Sequence, residues 1–318
     1  MQVETSSGRA PSRPIVAFLI GLVVVAWAGN FIAAKIGLRH LPTLTMASFR
    51  VCAAGVVMVP AYFLCRLLPG FAEAAAARRR AFTPRDWWTF FYLGFLGMSV
   101  NQLCFTIGLH YTSVSHAAVI VGMGPIYTLI LAVLLRLEKA TWRKAAGMAM
   151  AFTGIAVLTS ERGLAAPFPS IIGDAITMTG SLGFAMYAVL AKRVAGEYDA
   201  LTMTAYNQFA GALVILPLAV RQARLLGAAE SWWAIPWDGW AAVLYMAVFG
   251  SAAAYIAYFW LLRYLEASQL SAFTYLLPVL ATILGILWLG EKGSWNQVLG
   301  GMLALGGVYW IESGRNSA

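Results

Sequence analysis

Apolar residues along this chain fall in long runs divided by short polar breaks. Each run holds about 18–25 residues, the helix length that crosses about 30 Å of hydrocarbon. The runs lie at roughly 15–36, 43–65, 87–109, 114–135, 141–160, 171–194, 200–220, 238–262, 269–289 and 295–312. None alternates with the period of two expected of a half-buried strand, and hydrocarbon admits no open sheet edge. The pattern predicts an all-α membrane protein with ten transmembrane helices. Some helices meet across tight links, such as Tyr111-Thr112-Ser113 and Glu266-Ala267-Ser268.

The first half of the pattern returns in the second. Gly97, Pro125, Glu138 and Trp142 recur as Gly250, Pro278, Glu291 and Trp295, each 153 residues later. Nearer the start of each half the offset is 157, pairing Ala34-Lys35 with Ala191-Lys192 and Pro60 with Pro217. A repeat that crosses the bilayer five times leaves its second copy upside down. Inverted repeats of this kind suit solute movement by alternating access. The expected organisation is a disordered cytoplasmic tail over 1–14, a first five-helix repeat over 15–160 and a second, inverted one over 171–312.

Composition agrees: 61% of the 318 residues are hydrophobic and 11% are charged, too apolar for a soluble core of this length. The net charge of +9 suggests nucleic acid until its distribution is read. With the N-terminus inside, cytoplasmic segments hold 15 Lys and Arg against 6 outside, while Arg50 lies within a span. The excess puts both termini in the cytoplasm and argues against a nucleic-acid partner. Arg78-Arg79-Arg80 would rest on anionic headgroups, making membrane lipid a partner. Cys52, Cys65 and Cys104 all fall inside spans and give no disulfide framework. The chain has no His-Glu-x-x-His helix, paired intramembrane aspartates or phosphate-cradling Gly-Lys-Ser/Thr loop. The expectation is therefore no enzyme, no cofactor and no metal site.

Polar side chains at membrane depth are costly and mark candidate sites. Trp27 and Asn30 lie past the midplane on the first span, and their repeat mates are Phe184 and Tyr187; all four are cavity-wall candidates, with helix packing as the alternative. Arg50, about 10 Å below the outer surface, offers a fork of donors to a substrate carboxylate or phosphate, or else anchors structure through carbonyls or headgroups. Asn101 sits deep in the third span. Tyr127, Tyr255, Tyr258 and Tyr275 are too deep for a headgroup belt and read either as stacking walls for an organic solute or as core. Pro125 and Pro278 each release the carbonyl four residues back, at Val121 and Thr274, and are candidate hinges. His116 is a possible proton site. Glu138 and Glu291 are expected to cap helix ends and pair with Lys139, Arg143 or Lys292.

Several stretches resemble the drug/metabolite transporter superfamily, in particular its EamA-type ten-helix members. These are Trp27-Ala28-Gly29-Asn30-Phe31-Ile32-Ala33-Ala34-Lys35, Ala47-Ser48-Phe49-Arg50, Tyr111-Thr112-Ser113 with Pro125 and Arg136-Leu137-Glu138, and Leu289-Gly290-Glu291-Lys292 with Gly300 and Gly306-Gly307. The first copy reads Arg-Leu-Glu where Leu-Gly-Glu is usual, and His116 stands where a small or amide residue is expected. The resemblance implies a bacterial-type inner-membrane carrier, a monomer or homodimer, with a central cavity between the repeats. It implies export of small-molecule substrates such as amino acids or amphipathic and aromatic compounds. Nucleotide sugars, other phosphorylated metabolites and multidrug efflux are the alternatives.

Overall fold

A computed structural model describes residues 11–68, 82–111, 120–160, 171–229, 232–280, 283 and 295–313. Among them there is helix and no strand. The segments in chain order are α1 (Arg13–Gly37), α2 (Thr43–Cys65), α3 (Pro84–Tyr111), α4 (Ile120–Leu134), α5 (Trp142–Ser160), α6 (Ile171–Val194), α7 (Ala200–Ala229), α8 (Trp237–Tyr264), α9 (Ala267–Leu280) and α10 (Trp295–Ser313). Six of them, α1, α2, α3, α6, α7 and α8, are long and apolar enough to cross a membrane. The outward faces carry large apolar side chains such as Phe18, Val56, Phe63, Leu213 and Tyr309, which suits a lipid solvent.

Helix ends follow local chemistry. Arg13 and Pro14 already belong to the first turn of α1, so the expected tail to residue 14 is too long; residues 1–10 lie outside the described residues. A proline in the first turn lacks only a donor that would be unbonded there anyway. Asp86 opens α3 by accepting the Thr83 backbone N–H at 2.7 Å, and it also takes the Tyr198 hydroxyl from the α6–α7 link. After α4, Arg136 takes a left-handed φ of 56°. Its N–H reaches Val133 O at 2.9 Å and the Leu137 N–H reaches Ala132 O at 2.8 Å, the doubled bond of a Schellman stop. Glycine is usual at such a position, and the turn swings Glu138 back toward the helix bundle.

Packing joins the two halves of the chain. The most extensive contacts are α5 with α10, α2 with α7, and α3 with α6; α1 packs on α8, and α4 on α6 and α9. Small residues allow the closest approaches, the usual device where lipid is the solvent. A side chain at Gly154 would meet the backbone of Gly300 and Ala304, and one at Gly307 would meet Gly147 O and Ala151. Gly55 faces Ala212 across the α2–α7 contact.

Both prolines stand beside a local irregularity of their helices. The chain turns at Met123, and Pro125 then stands in the first turn of the regular helix Gly124–Leu134. Before Pro278 the chain tightens into a 3-10 turn at Phe273–Tyr275. Each proline, which cannot donate to the carbonyl four residues back, thus follows a local break two to five residues earlier. Two further irregularities have no counterpart in the sequence reading: π-helical stretches at Gly94–Val100 in α3 and Met246–Ala253 in α8.

Candidate functional site

Seven helices, α1, α2, α3, α4, α6, α8 and α9, converge on a cavity of about 800 Å³ counting its mouth. α1 supplies Trp27, Asn30 and Phe31, α2 supplies Arg50, and α3 supplies Asn101, Gln102 and Phe105. α4 adds Val121, Gly124 and Pro125; α6 adds Thr177, Gly180, Ser181 and Phe184. Gly250 and Tyr255 come from α8, and Ser271, Thr274 and Leu277 from α9. The wall occupies the later half of α1 and α3 and the earlier half of α6, so the cavity lies toward the end of the bundle where α1 finishes. Towards the other end Trp27 forms the floor, packed on Phe184, Tyr255 and Tyr258 at ring separations of 5.5, 5.6 and 5.4 Å.

The π-helical stretches shape this floor. Widening a helix by one residue per turn leaves carbonyls to be bonded from outside. Trp27 Nε1 donates to Gly250 O at 3.0 Å, and the Tyr255 hydroxyl donates to Gly97 O at 3.4 Å. Both glycines are needed for close approach: a side chain on Gly250 would strike the Asn30 amide, and one on Gly97 would meet the Tyr187 ring at 2.6 Å.

The wall is mostly apolar, with a few directed polar groups. Asn101 Nδ2 donates to Gly180 O at 3.0 Å, and Gln102 Oε1 accepts the Ser251 hydroxyl at 3.3 Å. Asn30 Oδ1 is buried with no donor among the described residues. Arg50 is 4% exposed. Its one recorded bond is from Nη1 to Thr106 Oγ1 at 3.4 Å, and its Nε has no acceptor among the described residues.

Of the residues singled out from the sequence, Trp27, Asn30, Arg50, Asn101, Phe184, Tyr255 and Pro125 stand on the cavity wall. Tyr258 lies behind Trp27 and is fully buried. Tyr187 is also fully buried, packed on Gly97. Tyr275 belongs to a separate core with Leu129, Met148 and Ile155, and Tyr127 turns its hydroxyl to Met123 Sδ at 3.3 Å. These four tyrosines are not on the wall, and neither is Pro278. His116 and Glu291 lie outside the described residues. Glu138 does not pair with Lys139 or Arg143 as expected. It takes the Lys144 ammonium at 2.9 Å and the Ser268 backbone N–H at 3.1 Å, as well as the Ser268 hydroxyl, and Lys144 also binds Glu266.

Phe31, Phe105, Thr177, Ser181, Ser271 and Thr274 were not foreseen as wall residues, and Gln102 lines the wall beside Asn101. The repeat offset holds part of the missing signal. Gln102 and Tyr255, Val121 and Thr274, and Gly124 and Leu277 are each 153 residues apart, Trp27 and Phe184 are 157 apart, and all eight line the cavity.

Comparison with known proteins gives a consistent picture. The model of the EamA-like transporter family matches twice, over residues 14–160 and 171–313. An uncharacterized transporter of Archaeoglobus fulgidus is 26% identical over 293 residues, covering 92% of this chain and 95% of that protein. A protein of Streptantibioticus cattleyicolor named "Probable terminal-alkyne amino-acid exporter" is 27% identical, with 92% and 91% covered. The uncharacterized inner membrane transporter YedA of Escherichia coli is 28% identical, with 86% and 82% covered. One solved crystal structure superposes with a TM-score of 0.72 over 96% of this chain and 100% of that one, at 18% identity, a likeness of fold.

Proposed function

The chain belongs to the EamA-like transporter family, and on that premise we propose that it is a secondary carrier of the inner membrane that exports small metabolites by alternating access. Its cargo is an amino acid or an amphipathic or aromatic organic compound. The observation that carries this reading is the composition of the cavity wall, which draws equivalent positions from both halves of the chain. A solute held there touches both halves at once, as a carrier that rocks one half against the other requires.

Further features support the finer parts of the reading. Ten crossings in two inverted repeats account for the pairing of α3 with α6 and of α1 with α8, since these two contacts exchange under the repeat. They also account for the two π-helical stretches, which fall at matching places in α3 and α8. The separate family matches divide the chain at the same point. Pro125 and Pro278 serve as hinges, each beside a local break in its helix. Among the described wall residues Arg50 is the one cation, and His, Cys, Asp and Glu are missing. That lining favours a carrier over a catalyst, and amphipathic cargo over phosphorylated cargo. Both termini are cytoplasmic in this arrangement.

Reconstitution tests it. Liposomes holding the purified protein and an internal unlabelled solute should take up the same labelled solute by saturable counterflow, from a panel of amino acids and aromatic acids. Flux that rises linearly with concentration, or none from any solute, contradicts the carrier.

A further inference from the structure

A charged group buried without a counter-charge is a costly feature that a fold keeps when something else completes it. Arg50 is such a group. Its guanidinium is always ionised and presents five donors, and 4% of the residue is exposed. Among the described residues Arg50 finds one long bond, from Nη1 to Thr106 Oγ1 at 3.4 Å, and nothing for Nε. Nearby polar side chains have other partners: Thr106 donates to Gln102 O at 3.0 Å, Asn101 to Gly180 O at 3.0 Å and Tyr255 to Gly97 O at 3.4 Å. No described wall residue is a carboxylate. The cavity wall therefore includes a fixed positive charge with a donor that no described residue satisfies.

We infer that the missing partner is the cargo: the cavity takes a carboxylate onto the Arg50 guanidinium, and the substrate class is a carboxylic acid with an apolar body. This inference rests on the carrier reading above and narrows it. A carboxylate matches the fork with two parallel bonds and brings the site to neutrality. A phosphate dianion would leave a net negative charge in a pocket whose described wall holds no second cation. The body of the acid meets Phe31 and Phe105, which touch edge to face at 5.1 Å, and the Trp27 floor. A mostly apolar wall with a few directed polar groups suits an organic acid of that kind. Asn30 Oδ1, without a donor of its own, offers a neutral acceptor to an ammonium, so α-amino acids and plain acids share the chemistry.

The test uses the full chain in detergent, with thermal stabilisation as the readout. The probes are isovalerate, phenylacetate, indole-3-acetate, leucine, phenylalanine and tryptophan, each beside its carboxamide, with acetate and chloride as small anions. At least one acid should stabilise the protein, with its carboxamide at least tenfold weaker and acetate weaker still. Arg50→Lys should weaken that acid by tenfold or more, and Arg50→Gln should remove the preference for acid over amide. Because a buried arginine can be needed for folding, the acid-against-amide comparison on the unaltered chain decides by itself. Equal binding of acid and amide, chloride matching the organic acids, or no stabilisation by any acid overturns the inference. Saturable counterflow of a neutral or cationic solute would leave the carrier standing and remove only the carboxylate. Failure of all saturable flux would remove the carrier itself.

Discussion

The indole of Trp27 donates a 3.0 Å hydrogen bond to the carbonyl of Gly250, across 223 residues of chain. It joins α1 to the π-helical stretch of α8 at the cavity floor. Removing the donor leaves the buried Gly250 carbonyl without this partner, at a cost of up to about 1–3 kcal/mol. Trp27→Phe should therefore lower the melting temperature in detergent and reduce flux. Unchanged melting would mean that the Gly250 carbonyl finds another donor.

The two π-stretch glycines make a sharper steric prediction. Gly250→Ala pushes a methyl into the Asn30 amide, and Gly97→Ala pushes one into the Tyr187 ring. Overpacking of this kind costs about 1–3 kcal/mol. Gly21 is an internal control, exposed on α1 with nothing within 4 Å of an added methyl. Gly21→Ala should be neutral or stabilising by about 0.5–1 kcal/mol, the usual gain of alanine over glycine within a helix. Melting curves of the three variants should separate in that order of sign.

Glu138, Lys144, Glu266 and Ser268 tie the α4–α5 and α8–α9 links together, with the Lys144 and Glu138 side chains 9% and 3% exposed. Breaking one partner of a buried ion pair costs about 3–5 kcal/mol, while replacing both costs less than the sum. Glu138→Ala and Lys144→Met should each destabilise the protein, and the double variant should lose less than the two losses added. Strict additivity, measured by detergent melting, would show that the pair contributes no coupling.

Asn30 and Tyr258 should respond differently. Asn30 stands on the wall with a free acceptor, so Asn30→Ala should reduce flux with little loss of folded protein. Tyr258 is fully buried behind Trp27. Tyr258→Ala empties core volume and should cost about 3–5 kcal/mol by analogy with Phe→Ala changes. Size-exclusion profiles and flux, measured on the same preparations, distinguish a wall residue from a core residue.

The helices were legible because hydrocarbon leaves the backbone no alternative. Trp27, Asn30, Arg50, Asn101 and Tyr255 were legible because polar and amphipathic groups are conspicuous in apolar runs. For Tyr127, Tyr187, Tyr258 and Tyr275 the sequence left wall and core both open, since depth along a helix does not say which face a side chain takes. Ser181 and Thr274 were hidden because small hydroxyls inside helices usually bond the carbonyl one turn back; here Thr274 Oγ1 bonds Ser271 O at 2.7 Å and still lines the cavity. The π-helical stretches were invisible to a reading that assumed one helical period throughout. The partner of Glu138 was missed because Lys144, six residues on, lies in the first turn of α5 and meets it across the intervening link.

The inverted repeat is the claim on which the shared cavity depends, and the links that follow α1 and α6 test it most directly. Arg39 and Gly196 are repeat mates, 157 residues apart, and both are exposed. In a chain whose three native cysteines are replaced by alanine, Arg39→Cys and Gly196→Cys can each be probed in intact cells with a membrane-impermeant maleimide. An inverted pair gives labelling at position 39 and protection at position 196 until the membrane is opened. Labelling of both from outside, or protection of both, would put the two halves the same way up and contradict the account.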